Sequence, residues 1–83
     1  MSGVHVTVRL SGVMAERLGS RRTVELEPGA IVDDLVAELA RAAGFEPASL
    51  RGLAVVAGGG FVARSRPVRD GEELDVLVPV AGG

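Results

Sequence analysis

Apolar and polar residues alternate at the start of the chain: Val4, Val6, Val8 and Leu10 are separated by His5, Thr7 and Arg9. A period of two marks a strand with one buried face, so a first strand is predicted here. Met14 and Leu18 are four apart within Gly12–Leu18, and Gly19 stands where a helix commonly closes in a left-handed turn, which predicts a short helix. Val24 and Leu26 alternate with Thr23, Glu25 and Glu27 before Pro28-Gly29, a second strand ended by turn residues. From Ile31 the spacing becomes helical: Ile31, Leu35, Leu39 and Ala43 form a stripe, flanked by Val32, Val36 and Ala40, and Gly44 ends it. No Ser, Thr, Asp or Asn precedes this run, but Asp33 and Asp34 lie in the first turn, where the helix dipole favours negative charge.

Residues 46–51 read as a turn or a single helical coil. The apolar runs 53–57 and 61–63 are separated by Gly58-Gly59-Gly60, which predicts a hairpin. A polar connection over 64–73, with Pro67 and Asp70-Gly71, leads into a last strand at 74–78. Along it Leu74, Val76 and Val78 are expected to face the main helix, with Asp75 and Leu77 outward. Five short strands and one principal helix do not suffice to cover both faces of a sheet. The expected fold is therefore α+β, a mixed five-stranded sheet around one main helix with a short extra helix, which is the order of the ubiquitin-like β-grasp. The domain is assigned to residues 1–78, and 79–83 are expected to form a flexible Gly-Gly tail.

Composition narrows the chemistry. Eighty-three residues allow one core. Hydrophobic residues make up 47% and aromatic residues 2%, so Val, Leu, Ile and Ala must build that core. Cysteine is absent, which removes disulfides, thiolate nucleophiles and thiolate metal sites, and the single His5 cannot supply a zinc cluster; no metal is expected. All nine basic residues are arginine, so no lysine amine is present for Schiff-base chemistry. A net charge of -2 gives no general attraction to nucleic acid or to anionic membranes. No apolar run approaches the roughly 20 residues of a membrane span. Met1-Ser2-Gly3-Val4-His5 lacks the basic and apolar regions of a signal peptide, so a cytoplasmic location is expected.

The last residues are Val80-Ala81-Gly82-Gly83, directly after the final strand and Pro79, whose nitrogen cannot extend a ladder. Small residues projecting from a strand end can enter a tunnel, and two residues without Cβ let a terminal carboxylate reach a buried reaction centre. A carboxylate is a poor electrophile and requires activation, for instance as a mixed anhydride with AMP made by another protein from ATP. Gly58-Gly59-Gly60 lacks the Gly-x-x-x-x-Gly-Lys-Ser/Thr pattern of a phosphate loop, and so no cofactor is expected on this chain. Asp33-Asp34 and Glu72-Glu73 read as solvated carboxylates without a basic partner pattern, and His5 as a surface strand residue. Arg64, Arg66 and Arg69 form a basic cluster that either docks an acidic partner or is simply solvated. Leu77, outward beside Pro79, is a candidate docking residue.

These features together resemble the MoaD/ThiS sulfur-carrier family over nearly the whole chain. The residues that carry the resemblance are Val6-Thr7-Val8-Arg9-Leu10 with its short helix, Pro28-Gly29-Ala30-Ile31-Val32-Asp33-Asp34-Leu35, and the run from Asp70-Gly71-Glu72-Glu73 to Gly83. The short helix and the length are most like the molybdopterin synthase small subunit, although Leu77 and Val78 stand where that branch commonly has Phe and Pro. The resemblance implies that an E1-like adenylyltransferase adenylates Gly83 with ATP and a sulfur donor converts it to a thiocarboxylate. The tail then enters the large subunit of molybdopterin synthase or another sulfur-accepting enzyme. Gly83 would carry the sulfur, Gly82 give clearance, Ala81 and Val80 line the passage, and Pro79 and Leu77 dock. The chain would hold no self-contained active site. Carriers for cysteine or thiamin biosynthesis, a ubiquitin-like protein modifier and a non-catalytic β-grasp interaction domain stay open as alternatives.

Overall fold

Alternation along the first strand becomes burial: Val6 and Val8 are fully buried and Leu10 nearly so, whereas His5 and Arg9 are exposed. The computed structural model describes residues 3–46 and 52–78. Residues 47–51 of the expected turn at 46–51, and the tail at 79–83, lie outside the described residues. The elements are β1 (Val4–Leu10), α1 (Gly12–Leu18), β2 (Arg21–Leu26), α2 (Val32–Ala43), β3 (Ala54–Ala57), β4 (Gly60–Phe61) and β5 (Glu73–Leu77). The strand order in the sheet is β2-β1-β5-β3-β4. β1 and β5 are parallel, while the β1/β2, β3/β5 and β3/β4 pairs are antiparallel, which gives the mixed sheet of the ubiquitin-like β-grasp.

Helix α2 lays Leu35, Val36, Leu39, Ala40 and Ala43 into one cluster with Val6, Val8, Val55, Leu74 and Val76 of the sheet, and Met14 of α1 joins it. Each fully buried leucine or valine stabilises the fold by about 1.5–3 kcal/mol relative to exposure. The outward residues of the strands form the opposite face, which no described helix covers.

The helix lacks a capping side chain at its start because the chain caps it from a distance. The N–H of Val32 donates to the carbonyl oxygen of Arg66 at 2.8 Å, and that of Asp33 to the carbonyl oxygen of Arg64 at 2.8 Å. Asp34 reaches back to accept from the N–H of Ile31 at 2.9 Å, so Ile31 precedes the helix rather than opening it. These bonds satisfy donors that a helix start leaves unpaired. At the other end Gly44 adopts φ 82, and the N–H of Phe45 closes onto Ala40 at 2.8 Å. Arg17 of α1 donates to the Ala43 carbonyl at 2.9 Å and lies over the Phe45 ring, tying the two helices together.

Strand ends differ from the sequence expectation by a few residues. β2 starts earlier, at Arg21, and β5 covers Glu73–Leu77 rather than 74–78. Gly58 (φ 60) and Gly59 (φ 86) are the two central turn residues, both left-handed as a tight hairpin requires, and Gly60 is already in β4, paired with Ala57.

Candidate functional site

The root of the tail is built by strand pairing. β1 and β5 run parallel with Leu10 opposite Val76, so both leave the sheet at the same end, β1 into α1 and β5 into Val78. The strand's alternation then puts one apolar side chain on each face: Val78 is half-buried against the core, and Leu77, 44% exposed, points outward. The residues expected to carry the chemistry, Pro79, Val80, Ala81, Gly82 and Gly83, follow at once and lie outside the described residues.

Around Leu77 the outer face divides in two. Leu77 is opposite Ala54, and Val56 opposite Phe61, which is 77% exposed, so the β5/β3/β4 side carries an apolar patch. The β1/β2 side is polar and internally paired. Arg9 donates to both oxygens of Asp75, at 2.6 and 3.1 Å, and Arg21 to Glu73 at 3.2 Å. His5 has its Nδ1 3.6 Å from Asp70 and its Nε2 3.9 Å from Glu25. Expectation held only Leu77 of the apolar patch. Phe61 escaped notice because only the register shows it sharing a face with Leu77.

The basic cluster does not sit at the tail as one patch. Arg64 donates to Asp33 at 2.8 Å and to the Leu53 carbonyl at 3.3 Å, next to the start of β3. Arg66 is bound to Glu72, with a further bond to the Pro67 carbonyl at 3.2 Å. Arg69 is exposed, and its backbone N–H donates to Glu72 at 3.1 Å. Glu72 precedes β5, and six strand steps of about 3.3 Å separate it from Val78 by roughly 20 Å. The carboxylates read as unpartnered are therefore partnered: Asp33 with Arg64, Glu72 with Arg66 and Glu73 with Arg21. The Arg66 hydrogen bonds hold the Glu72 carboxyl below the usual carboxylate range, against the opposing effect of its partial burial.

Among the described residues no group of three His, Cys, Asp or Glu side chains converges as a metal site would require. No helix among them is long and apolar enough to cross a membrane. An open groove of about 690 Å³ lies between β2 and α2, lined by Glu25, Glu27, Glu38 and Arg41 among others, with Arg41 bound to Glu38. It lies beside Leu26, opposite Val4, and so at the end of β1 away from the tail.

The profile of the ThiS family matches residues 8–83, from the middle of β1 to the last glycine. The chain belongs to the ThiS family. Members of this MoaD/ThiS group are ubiquitin-like sulfur carriers or modifiers that work with E1-like activating enzymes and sulfur-accepting partners. No curated protein sequence matches this ThiS-family chain. Among solved structures, small archaeal modifier protein 1 of Haloferax volcanii superposes with a TM-score of 0.78 at 23% identity, covering 94% of this chain and 100% of that one. A candidate molybdopterin converting factor, subunit 1, from Pyrococcus furiosus gives 0.75 at 21% identity, covering 93% and 99%. The ubiquitin of Caldiarchaeum subterraneum gives 0.68 at 16% identity, covering 98% and 99%. At these identities the likeness is one of fold, and it gives this ThiS-family chain the ubiquitin-like β-grasp.

Proposed function

We propose that the chain is a sulfur carrier whose working group is the carboxylate of Gly83. In this reading an E1-like adenylyltransferase binds ATP, the Gly83 carboxylate attacks the α-phosphorus, and pyrophosphate leaves. A sulfur donor then displaces AMP from the acyl carbon and leaves a thiocarboxylate. The observation that carries the reading is the family match, which spans residues 8–83 and so takes in Gly82 and Gly83. Gly82 gives clearance in the partner's tunnel, Ala81 and Val80 line the passage, and Pro79 docks beside Leu77. Leu77, with Ala54, Val56 and Phe61, is the apolar face that docks. Ordering four tail residues would cost on the order of 4–8 kcal/mol, so in this reading a docking face accompanies the tail. ATP belongs to the activating partner, and the setting is the cytoplasm.

The recipient we favour is molybdopterin biosynthesis, with this chain as the small, sulfur-carrying subunit of molybdopterin synthase and the large subunit as acceptor. The fold likeness to the Pyrococcus furiosus protein supports this choice. Cysteine and thiamin biosynthesis would use the same carrier chemistry with other acceptors. The likeness to small archaeal modifier protein 1 favours a second reading, in which the activated Gly83 is joined to a lysine of a target protein.

Intact-mass spectrometry of the protein from its own cells separates these outcomes. The carrier reading expects a fraction of the chain with sulfur in place of one Gly83 oxygen, and a chain extended by one residue beyond Gly83 that is neither adenylated nor thiolated. Lysine-linked adducts without thiocarboxylate would select the modifier, and full biological competence of the extended chain would reject both.

A further inference from the structure

We propose that the first turn of α1, with Val13 as its exposed apolar point, forms a second docking wall beside the tail for the apolar rim of the adenylating enzyme. This rests on the carrier reading above. The argument starts from reach. Residues 79–83, fully extended, span at most about 18 Å, yet the Gly83 carboxylate must meet the α-phosphorus of an ATP enclosed in another protein. The rim of that protein must therefore come down on the surface surrounding Val78.

Topology decides what that surface is. Because β1 and β5 are parallel neighbours, the chain leaving β1 turns into α1 beside the point where β5 releases the tail. Gly12, the first residue of α1, holds φ 59, and a Cβ built on it would stand 4.0 Å from the Cβ of Val78. The outer face of the sheet contributes Leu77 to the root of the tail, and the helix side contributes Val78 and α1. Among the described residues the large apolar side chains left exposed are Val13 (39%), Leu77 (44%) and Phe61 (77%). Two of the three adjoin Gly12 and Val78 in the chain. A rim that encloses the tail contacts both sides of the strand end, and it gains most from the apolar groups it removes from water there. Leu77 serves one side and Val13 the other.

The test is ATP–pyrophosphate exchange by the E1-like adenylyltransferase of the same organism, measured against the concentration of this chain. The variants are Val13→Arg, Val13→Gln, Leu77→Arg and Glu27→Arg, with thermal melts alongside. Glu27 follows β2 at the end of the sheet away from the tail, so E27R controls for added positive charge. Val13 is exposed, and V13Q carries the test if V13R melts early. The expected result is that V13R raises KM about tenfold with kcat within about twofold of wild type, as loss of an interface anchor does. V13Q should raise KM less, L77R at least as much as V13R, and E27R not at all. A KM for V13R and V13Q within about twofold of wild type while L77R raises it would overturn the proposal, since the partner would then approach from the outer face alone. If the wild-type chain supports no exchange, the carrier reading fails and this proposal with it.

Discussion

Glu72 accepts from the Arg66 guanidinium and from the backbone N–H of Arg69, while its own carbonyl oxygen accepts from Thr7, so one residue fixes the turn that launches β5. Its lowered pKa makes this turn sensitive to acid. As pH falls through the ordinary carboxylate range the unfolded chain takes up the proton first, so the stability present at neutral pH declines until Glu72 itself protonates at its lower value. Glu72→Gln should cost roughly 1 kcal/mol at pH 7, an amount reduced by the partial exposure of the pair, and should flatten the stability profile below about pH 4.5. Urea melts at several pH values would check both. A variant with wild-type stability and an unchanged acid slope would assign the sensitivity elsewhere. None of this pairing was legible in the sequence. Asp33 and Arg64 are 31 positions apart, and the side chain–side chain bond from Arg66 to Glu72 spans a turn whose geometry no periodicity encodes. Outwardness was easier: Leu77 lies between Val76 and Val78 on an alternating strand, so its exposure could be foreseen.

Elements were legible wherever a period ran long enough. Helix α2 shows its stripe over twelve residues, and every apolar position on that stripe within the helix is buried. Leu39 is 1% exposed at its centre, so Leu39→Ala should cost about 2–5 kcal/mol and lower Tm by more than about 8 °C, readable in a thermal melt. A shift of only a degree or two would mean that the core collapses around the gap. The ends of elements were less legible, because long-range bonds set them. The start of α2 is fixed by the carbonyls of Arg64 and Arg66, and β4 shrinks to two residues although three apolar ones follow Gly60. Gly58 and Gly59 were visible as turn residues, but which two of three glycines took the left-handed positions depended on the register of Ala57 with Gly60.

At the scale of the whole molecule the uncovered sheet face has one half occupied by its own ion pairs and one half left apolar. Exposed ion pairs contribute about 0–1 kcal/mol each, so the polar half matters less for stability than for offering a partner few unmet charges. Phe61→Arg should therefore leave Tm within about 2 °C while weakening binding of the sulfur-accepting enzyme about tenfold or more, as isothermal calorimetry and a melt would show together. Unchanged affinity would remove β4 from the interface. The fold class was legible from the order of elements, but the neighbourhood of the tail was not, because it follows from which strand ends coincide. That β5 is an inner strand, bonded to β1 on one flank and β3 on the other, also has a mechanical meaning. A pull that reaches β5 along its own axis must shear two ladders at once instead of peeling a single edge. For the carrier proposed above, withdrawal of the tail from an acceptor would therefore load two ladders together and leave the body folded.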